Sequence, residues 1–120
     1  MAGNFISLAQ ATEMTARFRA NRETILDPKY KDQEILYISE TFDRDWFDSL
    51  LSEEGAAGLR FYNGMDAQLK TRLIAVAIDK NGNDLLPAAG SAAKSLAAGG
   101  NGIAEEGQRC PTNCPTGSGL

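Results

Sequence analysis

Cys110 and Cys114 are the two cysteines of the chain, and each is followed by proline in Cys110-Pro111-Thr112-Asn113-Cys114-Pro115. Thiols so spaced can ligate a metal, exchange electrons with another thiol pair, or sit in a tail that meets a partner or does no chemistry. Proline lacks an amide hydrogen and biases the residue before it toward extended conformations. Neither thiolate is therefore stabilised by the amide that follows it. The spacing also differs from the two-residue separation of thioredoxin-like motifs. A structural zinc site takes four ligands. Cys110 and Cys114 supply half of them, so zinc requires a second chain with its own pair or help from carboxylates such as Glu105 and Glu106.

Other chemistry is narrowed by what the chain contains. It has no histidine, which excludes Ser-His and Cys-His nucleophile pairs and imidazole metal ligands within one chain. Glu40, Asp43, Asp45 and Asp48 gather at the start of an expected helix, where carboxylates are favoured by the helix dipole without any catalytic role. Asp79-Lys80-Asn81-Gly82-Asn83-Asp84 offers oxygen ligands around a glycine. Gly82 comes too early for a calcium loop, however, and Gly90 stands where the closing glutamate is needed. A hairpin turn accounts for this stretch. Arg17, Arg19, Arg22, Lys29 and Lys31 surround the end of the first expected helix, and Glu13 precedes Arg17 by four residues, as in a helical ion pair. With a net charge of −4, these cations read as a solvated helix end, and nucleic acid is not expected as a partner.

These groups must be positioned by ordinary elements. Ser7-Leu8-Ala9-Gln10 has the form of a capping box. Leu8, Ala11, Met14, Phe18 and Ile25 then form an apolar stripe that predicts a helix up to Asp27-Pro28, with Met14 and Phe18 as core residues. Ile35-Leu36-Tyr37-Ile38-Ser39 predicts a first strand. Asp43 is placed to cap a second helix, with Phe42 and Phe47 as a hydrophobic staple, Trp46, Phe47, Leu50 and Leu51 on one face, and Gly55 as its C-cap. Leu59-Arg60-Phe61-Tyr62 and Thr71 to Ile78 predict two further strands, and Leu85-Leu86 a short fourth after the turn.

The expected architecture is α+β, with element order α-β-α-β-β-β. It is a two-layer sandwich with two helices on one face of a four-stranded mixed sheet, over residues 1–86. In the third strand the large Ile74, Val76 and Ile78 are assigned to the helices. That leaves Ala75 and Ala77 on the opposite face beside Tyr37, Arg60 and Tyr62, a candidate surface for a protein partner. Residues 87–120 are rich in Ala, Gly and Ser and read as a flexible tail, with a transient helical turn within Ser91 to Ala98. No secretory signal or spanning apolar run is apparent, so the expected location is the cytoplasm, without membrane association.

Ser39-Glu40-Thr41-Phe42-Asp43-Arg44, Gly58 to Met65, and Gly107-Gln108-Arg109-Cys110-Pro111 with Cys114-Pro115 resemble a group of small bacterial proteins of unassigned function that end in a Cys-Pro-x-x-Cys-Pro tail. The resemblance spans most of the chain. It implies that the tail belongs to the protein, and it carries no activity or ligand with it. The sequence thus points to a non-enzymatic interaction or assembly module with an unidentified protein partner, a homodimer being one form. The alternative is a thiol-based metal or redox protein acting through Cys110 and Cys114. No cofactor is expected apart from the zinc that the second reading allows.

Overall fold

A computed structural model describes residues 3–87, 103–104, 107–110, 114 and 119–120. The chain divides into two units. The first comprises Met1–Glu40, Met65–Thr71 and Gln108–Leu120; the second comprises Thr41–Gly64 and Arg72–Gly107. Among the described residues no helix is long and apolar enough to cross a membrane.

The first unit opens with helix α1, Leu8–Asn21. The capping box forms as its residue types require: the Gln10 amide donates to the Ser7 hydroxyl and the Ser7 amide to the Gln10 side chain. Arg17 donates to Glu13 at 2.7 Å, the expected i,i+4 pair. The helix ends at Asn21, short of the expected Asp27-Pro28 and leaving Ile25 outside it, and a single 3-10 turn, Pro28–Tyr30, follows, capped by the Asp27 side chain. No residue of α1 is buried. Met14 is 57% exposed and Phe18 39%, which corrects their expected place in the core.

The predicted first strand also moves. Strand β1 is Ser39–Thr41, and it pairs with the last strand, β6, Gln108–Cys110. Residues 35–38 lead to it without forming a strand, bending at Leu36 and Ile38. Glu34 has φ 54°, a left-handed turn that disrupts a ladder immediately before them. Ile35, only 4% exposed, gives its carbonyl to both the amide and the hydroxyl of Thr71, at 2.9 and 3.1 Å. Its backbone is thereby occupied outside any sheet.

In the second unit helix α2, Arg44–Leu51, packs on a sheet of β2, Gly58–Met65, β3, Thr71–Ile78, and β4, Asp84–Leu85, in that order. Strand β5, Ile103–Ala104, also pairs with β3. The expected single mixed sheet is replaced by two, one pairing β1 with β6 and the other holding β2, β3, β4 and β5, with β5 on β3, while the α+β class holds. β4 and β5 meet β3 in sequence. Ile78 and Ala77 face Asp84 and Leu85, then Val76 and Ala75 face Ile103 and Ala104, all antiparallel. Both β5 and β6 lie inside the stretch expected to be a flexible tail. Backbone pairing contributes to both, a force that composition does not register. Ser91 to Ala98, Glu105 and Glu106 lie outside the described residues.

Asp43 occupies the N-cap of α2 without a side-chain hydrogen bond. The staple supplies the order instead, with the Phe42 and Phe47 ring centroids 5.5 Å apart and Phe47 meeting Phe61 edge-on at 5.8 Å. Leu50 is buried with Ala75 and Ala77, and Phe42, Phe47, Ala56, Leu59 and Leu85 pack against them. Trp46 and Leu51 remain partly exposed. The helix ends at Ser52, and Gly55, with φ 84°, serves the turn beyond it rather than the cap itself.

Candidate functional site

The five residues expected to form one partner-binding face are not brought together on it. Ala75 and Ala77 have no exposed surface and lie under α2. Volume explains the reversal: Leu50, Phe42 and Phe47 fill the space above the strand, and small side chains let the helix approach closely. Arg60 and Tyr62 occupy the opposite face. Leu59 and Phe61 point toward α2, so the alternating Arg60, Tyr62 and Gly64 point away. A Cβ on Gly64 would come within 2.8 Å of Ile74 Cδ1, which places Ile74 on that same outer face. The fifth residue, Tyr37, belongs to the first unit.

On the face of the sheet turned away from α2, Arg60 Nη1 donates to Asp84 Oδ1 at 2.5 Å, and the Tyr62 hydroxyl donates to Asp84 Oδ2. Asp84 reaches them because it stands opposite Ile78, and directly opposed residues share a face. The Tyr62 hydrogen bond, with Arg60 beside it, holds the Asp84 carboxyl below its ordinary range. The same bond keeps the Tyr62 hydroxyl protonated above its ordinary pKa, since the neutral form is the donor. Arg60 is likewise held in its charged form, chiefly by Asp84. The adjoining turn is of hairpin type: Asp79 accepts the Asn81 and Asn83 amides at 2.9 Å each, and Gly82 takes φ 84°. Those bonds, the Asn83 amide first, depress the Asp79 pKa. Arg60 and Tyr62 both hold Asp84, so the cluster braces β2 and β4 across β3.

In the first unit the polar convergence is of another kind. The Arg109 guanidinium lies over the Tyr37 ring, 4.2 Å from its centroid, donates to the Thr71 carbonyl at 3.0 Å, and stands 3.7 Å from Asp66 Oδ2. Thr71 is the hub. Its amide and hydroxyl donate to Ile35, and its hydroxyl also accepts from the Tyr37 amide at 3.4 Å. Asp66 is fixed by its own turn, in which Oδ1 accepts the Gln68 and Lys70 amides while Leu69 adopts φ 65°. Beside Arg109, the Cys110 carbonyl accepts the Ile38 amide at 2.6 Å. Cys110 and Cys114 form a disulfide. Bonded to each other, the two sulfurs do not ligate zinc as thiolates, and among the described residues no group of three acidic or cysteine side chains could hold a metal ion.

Sequence reasoning passed over Arg109, because its partners at Tyr37, Asp66 and Thr71 are distant along the chain and leave no local pattern. It also read the stripe of α1 as core. Leu8 is 74% exposed, and Phe5, Ile6 and Ile25 flank the stripe in the open. No protein-family model, curated protein or solved structure matches the chain.

Proposed function

We propose that the chain is a non-enzymatic protein-interaction or assembly module, and that the stripe of α1 is the surface it uses, with a second copy of the chain as its partner. The observation that carries this reading is a helix with no buried residue that nonetheless bears Leu8, Met14 and Phe18 in register and is flanked by Phe5, Ile6 and Ile25. Isolated apolar side chains are normal on a surface, whereas a contiguous apolar stripe marks an interface. Six such side chains offer apolar surface on the order of one side of a standard interface, ~800 Å².

The cytoplasm stays the proposed location, where reducing dithiols would meet the Cys110–Cys114 bond.

Sedimentation of the full chain across a concentration range tests the proposal. The wild type should self-associate, and Met14→Glu should shift the equilibrium toward monomer by about a hundredfold, as expected for losing an interface residue of the larger kind. Because Met14 is exposed, the substitution leaves folding intact. A wild type that stays monomeric throughout overturns the proposal.

A further inference from the structure

Strand β6 joins two features that the interaction reading does not use. Arg109, with its side chain 16% exposed, is stacked on Tyr37 and bonded to Thr71. The next residue, Cys110, is 8% exposed and accepts the Ile38 amide. Its disulfide partner Cys114, four residues on, is exposed. One end of the bond is shielded and the other is open to solvent, so an attacking thiolate meets Cys114 first.

We propose that the Cys110–Cys114 disulfide is an exchange site for an external dithiol, entered at Cys114, and that opening it releases the Arg109-bearing strand from Tyr37, Thr71 and Ile38. In the first step a thiolate of the dithiol attacks Cys114 Sγ. The bond to Cys110 breaks, its electron pair leaves with Cys110 Sγ, which takes a proton from water, and a mixed disulfide forms at Cys114. In the second step the remaining thiolate of the reductant attacks its own sulfur in that mixed disulfide and expels the Cys114 thiolate, which is protonated in turn. Two electrons and two protons pass to the chain. The dithiol is oxidised to a disulfide, and the cystine is reduced to two thiols.

The substrate class follows from the short separation. After attack by a monothiol, the Cys110 thiol stays tethered four residues from the mixed disulfide. At such an effective concentration it recloses the bond and expels the monothiol. A dithiol escapes this reversal because its second sulfur is tethered as well. Pro111 and Pro115 withhold the amides that would stabilise a thiolate, so the reduced form gains no special stability and the bond yields only to a competent reductant.

Release follows from chain entropy. The disulfide ties Cys110 to Cys114 and so limits the backbone conformations open to Cys110, whose carbonyl meets Ile38. Reduced, Cys110 regains that freedom, and ordering it again opposes the Arg109 contacts and the Ile38 hydrogen bond.

The test uses the full chain purified in air. Thiols are counted by alkylation and amide exchange is followed residue by residue, with dithiothreitol and 2-mercaptoethanol compared at equal thiol concentration. Dithiothreitol should expose two alkylatable thiols and speed exchange of the Ile38 amide about tenfold, as local opening requires. The Ala57 amide, bonded to the Ile78 carbonyl in the second unit, should keep its rate. 2-Mercaptoethanol should produce neither change, and Cys114→Ser should show the fast Ile38 exchange without any reductant. Free thiols in the untreated protein, equal reduction by both reagents, or an Ile38 amide indifferent to reduction would overturn the proposal. So would equal acceleration at Ala57, which signals global unfolding. The wild-type measurements decide the matter even if the serine variant does not fold, and they are independent of self-association through α1.

Discussion

The two units are held by different forces. In the second, Leu50, Ala75, Val76, Ala77 and Ile78 are buried, and aromatic side chains close over Ala75 and Ala77. In the first, Ile35 and Cys110 are the buried hydrophobic residues among those described, and order comes from a capping box, a turn around Asp66, the hub at Thr71, Arg109 and a disulfide. Burial is non-directional and tolerates small displacements. Hydrogen bonds and a stacked guanidinium are directional, so each member matters by position. The second unit should therefore respond to lost volume, and the first to lost geometry or a changed oxidation state.

Removing volume should produce the largest effect. Leu50→Ala deletes a side chain at the centre of the α2 contact and should cost about 2–5 kcal/mol in denaturant unfolding. Amide exchange should show the loss at Ala57 while Thr71, whose amide bonds Ile35, stays protected. If Thr71 loses protection equally, the two units are one cooperative body and the contrast fails.

A smaller effect should follow in the first unit. Arg109→Ala removes a charge-assisted bond to the Thr71 carbonyl and the Tyr37 stack, together about 1.5–3 kcal/mol of local stability. Arg109→Lys should restore little of it, because an ammonium lacks the planar fork that serves the carbonyl and the ring together. Full rescue by lysine would mean that charge alone holds the strand.

The smallest effect should be one of pH. Asp84 has a depressed pKa in the folded chain, so its contribution to stability is complete above the ordinary carboxylate range and is lost as pH falls through the folded value. Tyr62 is raised, so its contribution is complete below the ordinary tyrosine range and disappears as pH rises through the folded value. Asp84→Asn should flatten the acid limb of thermal melts recorded across pH. An unchanged acid limb would move the origin of that slope to another carboxylate, with Asp79, also depressed, the next to substitute.

The readable parts of the fold were those set by neighbours in sequence. The Ser7 and Gln10 box, the Phe42 and Phe47 staple, the whole of β3 and the turn at Asp79 each rest on residues within a few positions of one another. Alternation in β3 also revealed two faces. It did not reveal which one the helix would take, because that depends on Leu50 and the phenylalanines already filling the space above Ala75 and Ala77. Pairing of β1 with β6, and the Arg109 contacts, join residues far apart along the chain. Nothing in the composition of either partner announces the other, and the short strands β5 and β6 arise inside a stretch poor in apolar side chains.

The register of β3 has a consequence for the evolution and engineering of the chain. Since Asp84, Leu85, Ile103 and Ala104 continue a single antiparallel alignment, the sheet does not measure how many residues separate Leu85 from Ile103. Doubling or halving that length changes the closure cost by only ~0.6 kcal/mol. Changes in length between Leu85 and Ile103 should therefore leave both pairings on β3 in register.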